Sequence, residues 1–191
     1  MFKVKSLGVF CGSRDGKKSD FLTDAAKFGK ILAQNGIRLV YGAGHTGMMG
    51  ALSKSVLDAG GHVTGIINTN LQAMEPQTYD LSELKILPSM HIRKDAMFEA
   101  SDAFCVFPGG IGTLDEVFEV MTLKQLNEHY KPIIMYNAHG FWEPFRKIVD
   151  SLIEEGYARE EHARLVTYVD KLEDILPTID AEIALHEKES R

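Results

Sequence analysis

The sequence predicts an α/β fold: a single doubly wound, Rossmann-like domain with a mostly parallel sheet of about six or seven strands. Three observations carry that reading. Short β-branched and apolar runs alternate with segments of helical period along the whole chain. The runs are apolar throughout, the mark of parallel strands buried on both faces. Glycine-rich stretches follow two of them directly, where a doubly wound sheet keeps its ligand loops.

The elements follow in order. Val4 to Phe10 reads as a strand that stops at Cys11-Gly12-Ser13. Phe21, Ala25, Phe28, Ile31 and Leu32 recur at helical spacing, and Asn35-Gly36 supplies a left-handed terminator. A second strand, Ile37 to Tyr41, runs into a loop from Gly42 to Gly47. Met48, Met49, Leu52, Val56 and Leu57 stripe the next helix, which Gly60-Gly61 ends. His62 to Ile67 is a third strand, and Asn68 to Ser82 shows no period and reads as irregular. Further strands are expected at Leu84 to Leu87, Ala103 to Phe107, Pro132 to Tyr136 and Leu165 to Tyr168. Helices are expected at Ile92 to Ala100, Leu114 to Glu128 and Trp142 to Glu155. A last helix, Asp170 to His186, contains Pro177 as its candidate interruption. With no linker or repeat, residues 1–186 read as one domain and 187–191 as a charged tail.

Composition narrows the function. Of 191 residues 45% are hydrophobic, enough to bury a core and exclude a disordered chain. No apolar run approaches the roughly 18 residues of a membrane span. The 21 basic and 27 acidic side chains give a net charge of −6, and no Lys/Arg-rich run offers a nucleic-acid footprint. Cys11 and Cys105 are too far apart in sequence for a CxxC pair and read as buried thiols in a reducing compartment. The first residues carry no signal-peptide apolar stretch, so a cytoplasmic protein is expected. No HExxH, DxD or CxxC spacing supports a metal.

Three segments can carry chemistry. Gly42-Ala43-Gly44-His45-Thr46-Gly47 fits G-x-G-x-x-G between a strand and a helix. The next strand, however, ends at Ile67-Asn68-Thr69 without the carboxylate that would hold an NAD ribose. The loop therefore reads as a phosphate or backbone-approach loop, with Gly47 serving close packing. A second segment, Pro108-Gly109-Gly110-Ile111-Gly112-Thr113-Leu114-Asp115-Glu116, joins a buried strand to a helix. Its glycines let backbone N–H groups converge on an anion, and Thr113 reads as the N-cap of a helix that cradles phosphate. No Lys follows the last glycine, which disfavours an ATP-driven phosphotransferase. Glu116 has two readings: it closes a Thr113-x-x-Glu116 capping box, or it reaches a sugar attached to the bound phosphate. Near a helix N-terminus it is expected to be ionised, suited to a base or charge stabiliser. The third segment is Met90-His91-Ile92-Arg93-Lys94. Its two cations oppose the dipole of a helix N-terminus, a cost that a nearby anion, or ion pairing with Asp95 or Glu99, repairs. The helix from Leu114 is apolar around nearly its whole circumference, which implies burial under the sheet or in a subunit interface.

These segments resemble the LONELY GUY family. Residues 108–116 match its PGGxGTxxE motif, Met90 to Lys94 its MHxRK segment, and Tyr41 to Gly50 its YGGGxxGLMG. Val9 to Ser13 and Lys131-Pro132-Ile133 also fit, so the resemblance spans nearly the whole chain. The family is often labelled "lysine decarboxylase", yet nothing here looks like a pyridoxal-phosphate lysine, and no cofactor is implied. Its members are phosphoribohydrolases that release free base and ribose 5-phosphate from cytokinin riboside 5′-monophosphates and often from AMP. The resemblance implies Arg93 and Glu116 as the catalytic pair. Substrate contacts map onto Glu75, Lys94, Gly109, Gly110, Ile111, Gly112, Thr113, Leu114, Asp115 and Thr122. Ser13, Gly42 and Gly44 are a further phosphate or ribose loop, and the usual state is a homodimer. Ala43 stands where the family has glycine, and Ile92 takes a variable, often polar position. The competing class is a non-catalytic nucleotide or cofactor carrier of the same fold, such as the molybdenum-cofactor carrier proteins.

Overall fold

The structure is a computed structural model that describes residues 2–17, 20–74 and 79–189. The chain alternates β1 (Ser6–Phe10), α1 (Asp20–Gln34), β2 (Arg38–Tyr41), α2 (Gly47–Asp58), β3 (Val63–Asn68), α3 (Thr69–Met74) and β4 (Glu83–Leu87). It continues through α4 (Met90–Glu99), β5 (Ala103–Val106), α5 (Ile111–Gln125), β6 (Ile133–Tyr136), α6 (Glu143–Glu154), β7 (Thr167–Val169) and α7 (Leu172–Glu189). Among the described residues the strands form one seven-stranded sheet in the order β4-β3-β2-β1-β5-β6-β7, and every pairing is parallel.

That order follows from the sequence pattern. Strands β1, β2, β3, β5 and β6 bury nearly every residue, so they need helices on both faces. On one face Phe21, Phe28, Leu52, Val56, Ile175 and Ile179 bring α1, α2 and α7 onto the sheet. On the other, Met97, Val117, Val120, Met121, Phe145 and Val149 bring α4, α5 and α6. Strand β4 is mostly exposed, and the paired charges of Glu83 and Lys85 suit it to the sheet edge.

The strand order reverses between β1 and β5, which lie side by side with Phe10 opposite Val106. At such a switch point the following loops diverge to opposite faces and leave a crevice beyond the strand ends. The loop from Cys11 and the loop from Phe107 to Gly110 open there, tied by the Gly12 amide donating to the Pro108 carbonyl at 3.0 Å. The glycine loop thus lies at the one place this topology reserves for ligands.

Three local expectations change. The stretch expected to be irregular contains α3, which buries none of its residues and so shows no apolar period. Pro177 does not interrupt α7: it lies inside the helix, which continues through it while Ile175, Leu176 and Ile179 are packed into the core on either side. The helix also runs on into the charged tail, where Lys3 Nζ pairs with Glu187.

Asp102 holds the start of the central strands. Its Oδ2 accepts from the backbone amides of Lys5 and Ser6, each at 2.8 Å. Asp102→Ala leaves both amides without that acceptor and is expected to destabilise the fold by about 1–3 kcal/mol in urea unfolding.

Candidate active site

The site is built from the ends of four strands. After β5, Gly110 takes an extended backbone (φ −106°, ψ −152°) and is the N-cap of α5. This corrects the expectation for Thr113, which is the third residue of the helix and is buried. No side chain caps the helix, so no capping box forms, and the first-turn amides of Ile111, Gly112 and Thr113 have no side-chain cap. A Cβ on Gly109 would fall 2.1 Å from Thr113 Oγ1, so that glycine serves close packing. At Gly110 and Gly112 a Cβ would meet no atom of the described residues within 4 Å. Internal packing therefore does not account for those two glycines. Leu114 is half-buried and Asp115 exposed beyond them.

Glu116 turns away from the helix end. Its Oε1 lies 3.3 Å from Arg93 Nη1, with the two side chains 14% and 8% exposed. Arg93 in turn is positioned by its Nε, which donates to the Ile66 carbonyl at 2.9 Å, and by Met90 Sδ at 3.4 Å from Nη1. Ser89 caps α4 by accepting from the Ile92 amide, which sets the helix that presents Arg93. The contact is a single hydrogen bond and not a bidentate fork.

Burial and pairing compete for the Glu116 proton. Burial disfavours the charged carboxylate and is the larger effect; Arg93 opposes it, and the outcome is a pKa raised to about 7. The expectation of an ionised Glu116 at a helix N-terminus is thereby corrected, because the group sits past the first turn and is desolvated. Near neutral pH it holds or releases a proton with small changes in its surroundings. Burial pushes the thiols of Cys11 and Cys105 up, so both stay neutral.

Lys94 does not pair with Asp95 or Glu99. Its Nζ lies 3.2 Å from Asp115 Oδ2 and 3.1 Å from Glu119 Oε2, so both cations of α4 are answered from α5. The cost of cations at a helix N-terminus is offset across the crevice.

The first glycine loop closes the other side. A Cβ on Gly42 would fall 2.3 Å from Arg93 Nη2, so only glycine admits the guanidinium here. The corresponding point on Gly44 is 2.3 Å from Met49 Cε. Gly47 has φ +57°, and a Cβ on it would fall 2.5 Å from the backbone of Ser13 and Arg14, the packing role expected of it. Thr46 Oγ1 donates to the Ser13 carbonyl at 2.8 Å, joining the two loops. Ala43 is also left-handed, at φ 60°.

The expected residues do not all meet. Arg93, Lys94, Asp115, Glu116 and the Gly109–Thr113 turn gather at the switch point, with Gly42 against Arg93. Thr122 lies about 9 Å further along α5 on a different face, its hydroxyl donating to the Phe118 carbonyl. Glu75 lies outside the described residues. Glu119 and the Ile66 carbonyl were not expected at all. Glu119 was legible only as a carboxylate three residues after Glu116, on the neighbouring turn.

Fold and crevice together define a Rossmann-like α/β protein with a loop-and-helix turn of the kind that holds phosphate groups. The family described as "Possible lysine decarboxylase" matches residues 49–179. A cytokinin riboside 5′-monophosphate phosphoribohydrolase of Oryza sativa subsp. japonica is 38% identical over 182 residues, covering 92% of this chain and 75% of that protein. One from Arabidopsis thaliana is 36% identical over 186 residues, covering 97% and 86%. The chain belongs to this family, the LONELY GUY family. Among solved structures, the molybdenum cofactor carrier protein of Chlamydomonas reinhardtii superposes with a TM-score of 0.67 at 20% identity, covering 94% of this chain and 98% of that one. The molybdenum cofactor binding protein of Rippkaea orientalis gives 0.68 at 20%, covering 96% and 99%. Those two share the fold.

Two outcomes follow from the geometry. Gly42→Ala places a methyl group in the guanidinium's position, and is expected to cost at least about 100-fold in activity while the circular dichroism spectrum stays unchanged. The second concerns pH. Glu116's folded-state value lies above the ordinary 4.5, so between about pH 4.5 and 7 the folded chain binds a proton the unfolded chain has released. Its contribution to stability therefore falls as pH rises through that window, by a few kcal/mol. Urea unfolding at pH 5 and pH 8 is expected to show this loss in the parent and a much flatter profile in Glu116→Gln.

Proposed function

We infer that the chain is a phosphoribohydrolase that cleaves the N-glycosidic bond of nucleoside 5′-monophosphates to free base and ribose 5-phosphate. The observation that carries this reading is the buried Arg93–Glu116 pair beside a glycine turn and an uncapped helix start. Cytokinin riboside 5′-monophosphates and AMP are the proposed substrates. The 5′-phosphate rests on the turn from Gly109 to Thr113, where backbone N–H groups and the helix dipole favour an anion. The ribose then extends toward Glu116.

Departure of the base leaves an oxocarbenium-like ribose, as in glycoside hydrolysis. Ionised Glu116 stabilises that cation and directs water to C1′: the hydroxyl adds to the sugar carbon, and the base departs with a proton. Arg93 holds the carboxylate in place and favours its charged form. Lys94 and Asp115 lie at the edge of the same crevice and are proposed as substrate contacts. Gly44 and Ser13, on the two joined loops, are proposed to border the ribose or phosphate. Glu75 and Thr122 are carried as family contacts.

The proposed assembly is a homodimer. Supporting it, Ile111 and Phe118 on α5 and Leu126 at its C-cap are 82%, 38% and 60% exposed in the single chain. Exposed apolar side chains of that kind on one helix are normally covered. No helix among the described residues is long and apolar enough to cross a membrane.

The test is incubation with a panel of nucleoside 5′-monophosphates, including isopentenyladenosine monophosphate and AMP, following free base and ribose 5-phosphate together. Equimolar release is expected, lost by at least about 1000-fold in Glu116→Gln and Arg93→Ala. In the parent kcat/KM is expected to rise with pH through about 7 as Glu116 ionises. Tight binding without release across the panel would instead favour the carrier class.

A further inference from the structure

The Arg93–Glu116 contact is one hydrogen bond at 3.3 Å and does not by itself fix the spacing of α4 and α5. Between the two helices lies a cleft floored by Phe10, Met97, Phe98, Val120 and Leu123. Apolar packing therefore leaves a gap at this level. Lys94 and Glu119 both line that cleft, and Lys94 Nζ, 3.2 Å from Asp115 and 3.1 Å from Glu119, bridges the two helices across it. Of the two carboxylates Glu119 is the better shielded, with its side chain 33% exposed against 55% for Asp115, so its attraction is less screened by water. Lys94 follows Arg93 on α4, and Glu119 lies one turn beyond Glu116 on α5. The bridge thus runs alongside the reactive pair.

We propose that Glu119 is a positioning residue for hydrolysis, which through Lys94 sets the separation of α4 and α5 and so the approach of Arg93 to Glu116. This rests on the reading of Arg93 and Glu116 as the reactive pair. Among the described residues, the charged and titratable groups around Glu116 and its cleft are Arg93, Lys94 and Asp95 from α4, Asp115 and Glu119 from α5, and the Cys11 thiol beyond the end of β1. Without Glu119, Lys94 is left to the carboxylates of Asp115 and Glu116. The tie across the cleft is lost with it and Arg93 draws back; because Arg93 favours the charged carboxylate more than Lys94 does, the Glu116 titration moves to higher pH.

The experiment uses the full chain with Glu119→Gln, Lys94→Gln and the double variant. Two quantities are read: the Glu116 titration midpoint by carboxyl carbon NMR, and kcat for AMP. In Glu119→Gln the midpoint is expected to rise by about half a pH unit. Its kcat is expected to fall about tenfold, the scale of a small misplacement of reacting groups. Lys94→Gln is expected to raise the midpoint. In the Lys94→Gln background the Glu119 substitution is expected to change kcat less than about twofold, because both act through one bridge. Asp58→Asn, which breaks the exposed pair with Lys54 on α2, is expected to move neither quantity. A parent-like or lowered midpoint in Glu119→Gln, or an equal kcat loss in both backgrounds, overturns the proposal. Should the Gln variant not fold, Glu119→Asp keeps the charge and shortens its reach; reduced kcat supports the bridge and parent-like kcat overturns it. If the parent releases no base, the midpoint still decides the bridge, and that failure counts against the hydrolase reading alone.

Discussion

A guanidinium and a carboxylate are buried together at the mouth of a parallel sheet, and most of the local architecture follows from the cost of putting them there. Charges taken from water need a partner and further hydrogen bonds. Arg93 obtains them from the Ile66 carbonyl and from Glu116. Among the described residues Glu116 has one hydrogen-bond partner, Arg93, which does not fully offset its burial, so its proton affinity rises to near neutrality. An incompletely compensated carboxylate is costly for a fold and useful in a reaction that alternates between proton states.

The topology explains why the pair is where it is. Strands β1 and β5 are neighbours at the reversal of strand order, so their loops part and leave a crevice. Helix α5 begins in that crevice without a side-chain cap, and α4 supplies cations from the adjacent crossover. The glycines fall into two groups. Gly42 admits Arg93 and Gly47 lets the loop after β1 approach, whereas Gly110 and Gly112 face no atom of the described residues that a Cβ would touch. The first two fit the pair into the protein. The last two leave the turn open on its outer side.

Much of this was legible beforehand, for identifiable reasons. Alternating apolar strands and 3.6-period helices have only a few right-handed parallel solutions, so the sheet could be read from patterning. The motifs brought Arg93 and Glu116 forward as residues, but their contact spans 23 positions and depends on how α4 and α5 lie on one face of the sheet. Thr113 looked like a cap because threonine three residues before glutamate usually is one. Here the extended Gly110 ends the loop earlier, and Glu116 is left free to turn inward. The α3 turn was missed because it buries no side chain and so writes no period into the sequence. The role of Gly42 was beyond local reasoning, since what it makes room for comes from another helix.

The central claim is that one crevice holds a phosphate on the α5 turn and a ribose against the Arg93–Glu116 pair. The most direct measurement is a crystal structure of the Glu116→Gln protein with AMP bound. The phosphate is expected on the backbone amides of residues 110–113, with C1′ next to the side chain at position 116. A phosphate bound elsewhere, or a ribose turned away from position 116, would contradict the account.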